Sequence, residues 1–214
     1  MKNFKAAIFD LDGTILDSMW VWKRVDEGFL GKRNIEIPSD YVKAISALNL
    51  RTAAEYTKER FSLPEPVEDI MEEWFQMAVK EYAEDVCLKS NAREYLAYLK
   101  AKGMKLAVAT SSHEGLFLPC LENNEVFEFF DTIVTTMEVE RGKEFPDVYL
   151  EAARRMEVKP SECMVFEDIL KGIQAAKEGG FYVVALAEEH SKEDEKAIRE
   201  SADLYIEEFE EMME

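Results

Sequence analysis

The sequence predicts an α/β protein: a doubly wound, Rossmann-like parallel sheet with a helical block inserted directly after its first strand. Three observations predict it. Short apolar runs with little alternation recur along the chain, as strands covered on both faces do. From residue 90 onward these runs alternate with helical stretches, the pattern of a parallel sheet with crossover helices. Between Leu16 and about Val86, in contrast, no convincing strand is found.

Each element has its own signal. The first strand, Ala6-Ala7-Ile8-Phe9, runs straight into Asp10-Leu11-Asp12-Gly13-Thr14. The insert reads as four helices, over 17–30, 39–47, 51–61 and 66–82, with breaks at Gly31 to Asn34, at Pro38 and at Leu63 to Pro66. The helix 91–102 carries Tyr95, Leu96 and Leu99 at helical spacing and stops at Gly103. Strands follow at Lys105–Thr110, Thr132–Thr135, 163–166, Tyr182–Leu186 and 203–206. Between them, 146–156 opens with proline in its first turn, and 169–178 ends at Gly179-Gly180. The acidic tail 207–214 reads as a solvated last helix. Residues 1–15 and 88–214 are thus expected to form the α/β core, and 16–87 a four-helix cap.

Composition narrows the function. With 47% apolar residues in 214, a large core can be built. A net charge of −19 argues against nucleic acid or an anionic membrane as partner. Three widely spaced cysteines, Cys87, Cys120 and Cys163, read as reduced thiols in a cytoplasmic protein. The first apolar run is short and broken by Asp10, so no signal peptide fits, and no stretch is long enough to span a bilayer. The reading is of a cytoplasmic monomer.

The chemistry gathers at strand ends. Asp10 and Asp12, two apart, fall on one face, and carboxylates held that close resist joint ionisation. A hard divalent cation such as Mg²⁺ removes the conflict; an Asx-type turn is the plainer alternative. Ligands of open α/β sheets bind beyond the carboxyl ends of the strands. There the second strand offers Thr110 and Ser111, the third is followed by Lys143, and the fourth brings Glu167 and Asp168. Singly, Thr110 can be a helix cap, Lys143 a surface charge and Glu167-Asp168 an N-cap pair. Four strand ends carrying such groups together point to a site.

The segments DLDGT (Asp10 to Thr14), VATS (Val108 to Ser111), GKEFPD (Gly142 to Asp147) and VFEDILKGIQAAKEGG (Val165 to Gly180) resemble the haloacid dehalogenase superfamily, in the group with a helical cap after the first strand. The resemblance implies a phosphatase acting on a small phosphorylated metabolite. It implies Asp10 as nucleophile and Asp12 as general acid and base. Asp10, the Asp12 carbonyl and Asp168 would hold Mg²⁺, with Glu167 either a direct ligand or one step behind the ligands, and Thr110 and Lys143 would hold the transferring phosphoryl group. Ser111, Arg51 and Trp22 are the expected substrate contacts, with Trp20 and Asn49 as further cap candidates. A sugar or polyol phosphate is the expected substrate, because Arg51 could bind a second anionic or hydroxyl-rich end. Cap and core would hinge near Thr14 to Asp17 and Val86 to Ser90.

Three other readings are weighed. Haloacid dehalogenases use no metal and lack an acid where Asp12 stands. β-Phosphoglucomutases share the cap type and match at Arg51, but carry a cap histidine where this chain has Trp22. Ile169 and Phe145 also depart from the pattern, standing where serine and a small residue are common. A non-catalytic phosphate or metal sensor of the receiver type would place an acid at the end of the third strand. Here that strand runs on into Thr136 and Met137.

Overall fold

The computed structural model describes residues 4–45, 48 and 50–213. The chain divides into two compact units, Met1–Met19 with Val86–Glu214, and Trp20–Asp85. The strands are β1 (Ala6–Phe9), β2 (Leu16–Asp17), β3 (Cys87–Leu88), β4 (Lys105–Thr110), β5 (Thr132–Thr135), β6 (Cys163–Glu167), β7 (Tyr182–Leu186) and β8 (Leu204–Ile206). The helices are α1 (Val21–Gly31), α2 (Tyr41–Ile45), α3 (Leu50–Phe61), α4 (Val67–Glu84), α5 (Ala92–Ala101), α6 (Glu114–Asn123), α7 (Asp147–Arg155), α8 (Leu170–Glu178) and α9 (Glu195–Ser201).

In the first unit six strands form one sheet in the order β5-β4-β1-β6-β7-β8. Every pairing in it is parallel, with Ile8 opposite both Ala107 and Val165. Both faces are covered, which explains why these strands do not alternate in sequence. On one face Ile8, Val165 and Val183 pack with Val148, Tyr149 and Ile173 of the crossover helices. On the other Phe9 stacks on Phe166 at 4.6 Å, and Tyr95 of α5 stacks on Phe209 at 5.3 Å. Phe209 therefore corrects the expectation for the tail: residues Phe209–Met212 form a 3₁₀ turn anchored by a buried ring, not a solvated helix.

The boundaries of the two units also differ from those expected. Leu16 and Asp17 pair antiparallel with Leu88 and Cys87, and the Lys89 N–H donates to the Ile15 carbonyl at 2.8 Å. These hydrogen bonds join the two crossings to each other as a separate two-stranded sheet; residues 16–19 and 86–87 group with the sheet-bearing unit, and the first helix begins at Val21 and not at 17.

The second unit is helical. Phe29 of α1 meets Trp74 of α4 edge-on at 5.5 Å, within a core that includes Val25, Ile70 and Ala78. Arg33 lies 3.7 Å over the Phe29 ring and pairs with Glu65 and Glu73 at 2.9 and 2.7 Å. The helix expected over 39–47 is seen as α2; Ser46, Ala47 and Asn49 lie outside the described residues.

Candidate active site

Asp10 stands one residue beyond β1, and its N–H still donates to the Phe166 carbonyl at 3.0 Å. The ladder thus delivers its carboxylate to the carboxyl edge of the central strand. The chain then reverses: the N–H groups of Thr14, Ile15 and Leu16 all donate to the Leu11 carbonyl, at 3.1, 2.9 and 2.8 Å. Gly13 takes φ +85° in this reversal, and a Cβ there would come within 2.5 Å of Asp168 Oδ2. Glycine is required twice over, for its conformation and for the approach of the acid.

The reversal places two hydroxyls against two acids. Thr14 Oγ1 donates to Asp168 Oδ1 at 3.1 Å, and Ser18 Oγ donates to Asp12 Oδ1 at 2.7 Å. From the far side, the Lys143 ammonium donates to Asp10 Oδ1 and to Glu167 Oε2, the latter at 3.0 Å. Asp10, Glu167 and Asp168 are all buried, and each offers an oxygen within 4.8 Å of the others. The Asp12 carboxylate stands outside this trio. On the neighbouring β4, buried Thr110 accepts a hydrogen bond from the Ser112 N–H at 3.0 Å. Ser111 is exposed at the same strand end.

The electrostatics ask for a cation. With all three ionised, three carboxylates against one ammonium would leave two negative charges uncompensated in a buried space, a conflict that protons or a cation relieves. Burial pushes the Asp10 carboxyl above its usual range; Lys143 opposes the shift and Asp12 adds to it. Burial and the Asp10 charge raise Glu167 well above a normal glutamate, and the same two causes raise Asp168 to about 7. Burial alone would discharge Lys143, but the charges of Asp10 and Glu167 outweigh it and hold the amine protonated. Glu167 Oε1 and Asp168 Oδ2 are buried without a hydrogen-bond partner. Orphaned carboxylate oxygens of this kind are costly unless something satisfies them. An all-oxygen donor set with two surplus charges fits a hard divalent ion such as Mg²⁺.

The acids, Lys143 and Thr110 are therefore at one edge of one sheet. Trp22 and Arg51 belong to the helical unit: Trp22 is exposed on α1, and Arg51 on α3 pairs with Glu68 at 2.9 Å. Trp20 lies under the Arg24 guanidinium at 4.2 Å, and Asn49 is outside the described residues. Sequence reasoning missed Ser18, the hydroxyl of Thr14, and Gly172. A Cβ at Gly172 would come within 2.2 Å of Glu167 Oε1. One signal for it was available: glycine inside a helix costs about 1 kcal/mol relative to alanine, so its presence there points to a close approach.

The family model for haloacid dehalogenase-like hydrolases matches residues 7–186. The chain belongs to this family. Among its relatives is a phosphorylated carbohydrates phosphatase of Thermotoga maritima, 30% identical over 204 residues, which span 92% of this chain and 91% of the relative. Another, from Drosophila melanogaster, bears a provisional pseudouridine-5′-phosphatase name and is 29% identical over 98% of this chain and 95% of its own. A solved Thermotoga maritima structure with a provisional β-phosphoglucomutase name superposes with a TM-score of 0.87 at 26% identity, over 98% of this chain and 96% of that one. The haloacid dehalogenase-like chain described here is a phosphatase, and the sensor reading is set aside. No helix among its described residues is long and apolar enough to cross a membrane.

Proposed function

We propose that the protein is a Mg²⁺-dependent phosphatase of a small sugar or polyol phosphate, working through a phosphoryl group carried on Asp10. The observation that carries this reading is the buried trio of Asp10, Glu167 and Asp168 with Lys143 bridging two of its members. The carbohydrate class is supported by the name of the Thermotoga maritima phosphatase.

Asp10, Glu167 and Asp168, with the Asp12 carbonyl, would hold Mg²⁺, which when bound offsets the charge of the phosphoryl oxygens. An Asp10 carboxylate oxygen attacks phosphorus, forming a P–O bond to the enzyme as the bond to the leaving oxygen breaks. Asp12, protonated at this stage, gives its proton to that leaving oxygen. It then takes a proton from water as the water attacks the phosphorus of the acyl phosphate. Inorganic phosphate leaves and both acids return to their starting states. Ser18 fixes Asp12 by donating to its Oδ1. Lys143 and Thr110 hold the transferring group, an electrostatic task favoured in a buried site. Ser111, Arg51 and Trp22 are assigned to recognition of the remainder of the substrate.

A second reading, a phosphosugar mutase, is favoured by the likeness to the provisionally named β-phosphoglucomutase. One experiment separates the two. Phosphate release is followed across a panel of phosphorylated metabolites, with Mg²⁺ and with EDTA, for wild type and Asp10→Asn. The phosphatase reading expects metal-dependent release that Asp10→Asn abolishes. Interconversion of phosphosugar isomers without release would establish the mutase instead.

A further inference from the structure

Lys143 is carried on a loop between β5 and α7, outside regular structure. A long, flexible side chain on an irregular loop is a poor way to hold a charge at one point, unless the loop itself is fixed. We infer that Arg141, Phe145 and Asp147 form a clamp whose task is to position Lys143. The inference rests on the phosphatase reading for what Lys143 does, but not for how it is held.

The clamp is described by four contacts. The Arg141 guanidinium donates to both oxygens of Asp147, Nε to Oδ1 at 3.0 Å and Nη2 to Oδ2 at 2.6 Å. Its carbon lies 4.4 Å from the centroid of the Phe145 ring. Beneath, the Phe145 N–H donates to the Gly142 carbonyl at 3.0 Å, closing a turn with Lys143 inside it. The next residue, Pro146, is buried, and Asp147 begins α7, so the clamp ties the start of the loop to a rigid element. Chain 141–147 is thus a ring closed by side chains, with the ammonium of Lys143 as its one buried charge, aimed at Asp10 and Glu167.

An exposed ion pair would ordinarily be set aside, because most surface pairs contribute little. This one has the geometry that makes an exception: a two-point fork with an aromatic ring under the guanidinium. Only arginine supplies the planar fork and the stacking face together. None of the three residues touches Asp10, Glu167 or Asp168 by any hydrogen bond, so a role at the site would be exerted through Lys143.

The test uses the full chain and four variants: Phe145→Ala, Arg141→Gln, Phe145→Tyr and Lys143→Ala. Two readouts are taken. The first is trace acetylation by acetic anhydride, read lysine by lysine by peptide mass spectrometry. Lys143, buried and paired, should label slowly in wild type, and several-fold faster relative to the other lysines in Phe145→Ala and Arg141→Gln. Phe145→Tyr, which keeps the ring, should label as wild type does. The second readout is kcat and KM for an aryl phosphate with Mg²⁺. Releasing the clamp should lower kcat by about ten-fold, with KM changed by less than about two-fold, since misplacement costs most in the transition state. Unchanged Lys143 labelling in Phe145→Ala and Arg141→Gln overturns the clamp. So does a loss of kcat that only follows a loss of folded protein in circular dichroism. If Lys143→Ala turns over at the wild-type rate, it is the role of Lys143 that fails, and the labelling readout still decides whether the clamp holds it.

Discussion

Glu167 and Asp168 leave β6 side by side, and burial raises both far from the usual carboxylate range. For Asp168 the consequence can be followed in pH. Its folded value of about 7 lies above the ordinary 3.8, so its contribution to stability is complete below 3.8 and is lost as pH rises through 7. Metal-free protein should therefore melt at a lower temperature at pH 8 than at pH 6. A cation must displace the protons these acids hold, so Mg²⁺ should bind more tightly as pH rises through 7 and should restore more of the melting temperature at pH 8. Calorimetry in two buffers of different ionisation enthalpy checks this: more protons should be released on binding at pH 6 than at pH 8. At this scale the sequence pointed to Asp10, Glu167 and Asp168 because they stand at strand ends, and to Lys143 in the loop that follows one; the structure brings the four together. Ser18 and Gly172 were not legible there, since their meaning comes from which acid the fold brings against them.

Among the elements, α1 contains a buried acid that the reaction does not use. Asp26 is 7% exposed. Burial raises its pKa to about 6; the Tyr41 hydroxyl opposes the shift and Glu27 adds to it. Tyr41 in turn lies 2.8 Å from Thr57 Oγ1, which donates to the Ala53 carbonyl at 2.7 Å. Stability from Asp26 is therefore full below pH 3.8 and lost as pH rises through 6. Asp26→Asn should stabilise the helical unit by about 2 kcal/mol at pH 8, and by little at pH 4. Fluorescence of buried Trp74 in the same unit follows its melting. The elements that sequence reasoning overlooked each lack a strong pattern, for different physical reasons. β2 and β3 have two residues each, too few for any periodicity. α6 contains Pro119, which breaks the helical pattern by removing a hydrogen bond, and α9 buries only Ile198. The sheet strands were legible because a run covered on both faces must be apolar throughout.

For the whole molecule the dominant quantity is its net charge of −19. A phosphate monoester must approach against that field, with Lys143 as a buried local exception. Raising ionic strength from about 10 to about 100 mM shortens the screening length from about 30 to about 10 Å. At fixed Mg²⁺, kcat/KM for a dianionic substrate should therefore rise over this range, chiefly through KM. A fall would mean that attraction by local cations governs the encounter.

The central claim is that the phosphoryl group passes through Asp10. Acid quenching during turnover, followed by peptide mass spectrometry, tests it most directly, with Asp12→Ala included because it should slow hydrolysis of the intermediate. The account predicts a phosphoryl adduct on Asp10 that requires Mg²⁺, accumulates in Asp12→Ala and is absent in Asp10→Asn. An adduct on another residue, or turnover by Asp10→Asn at the wild-type rate, would contradict it.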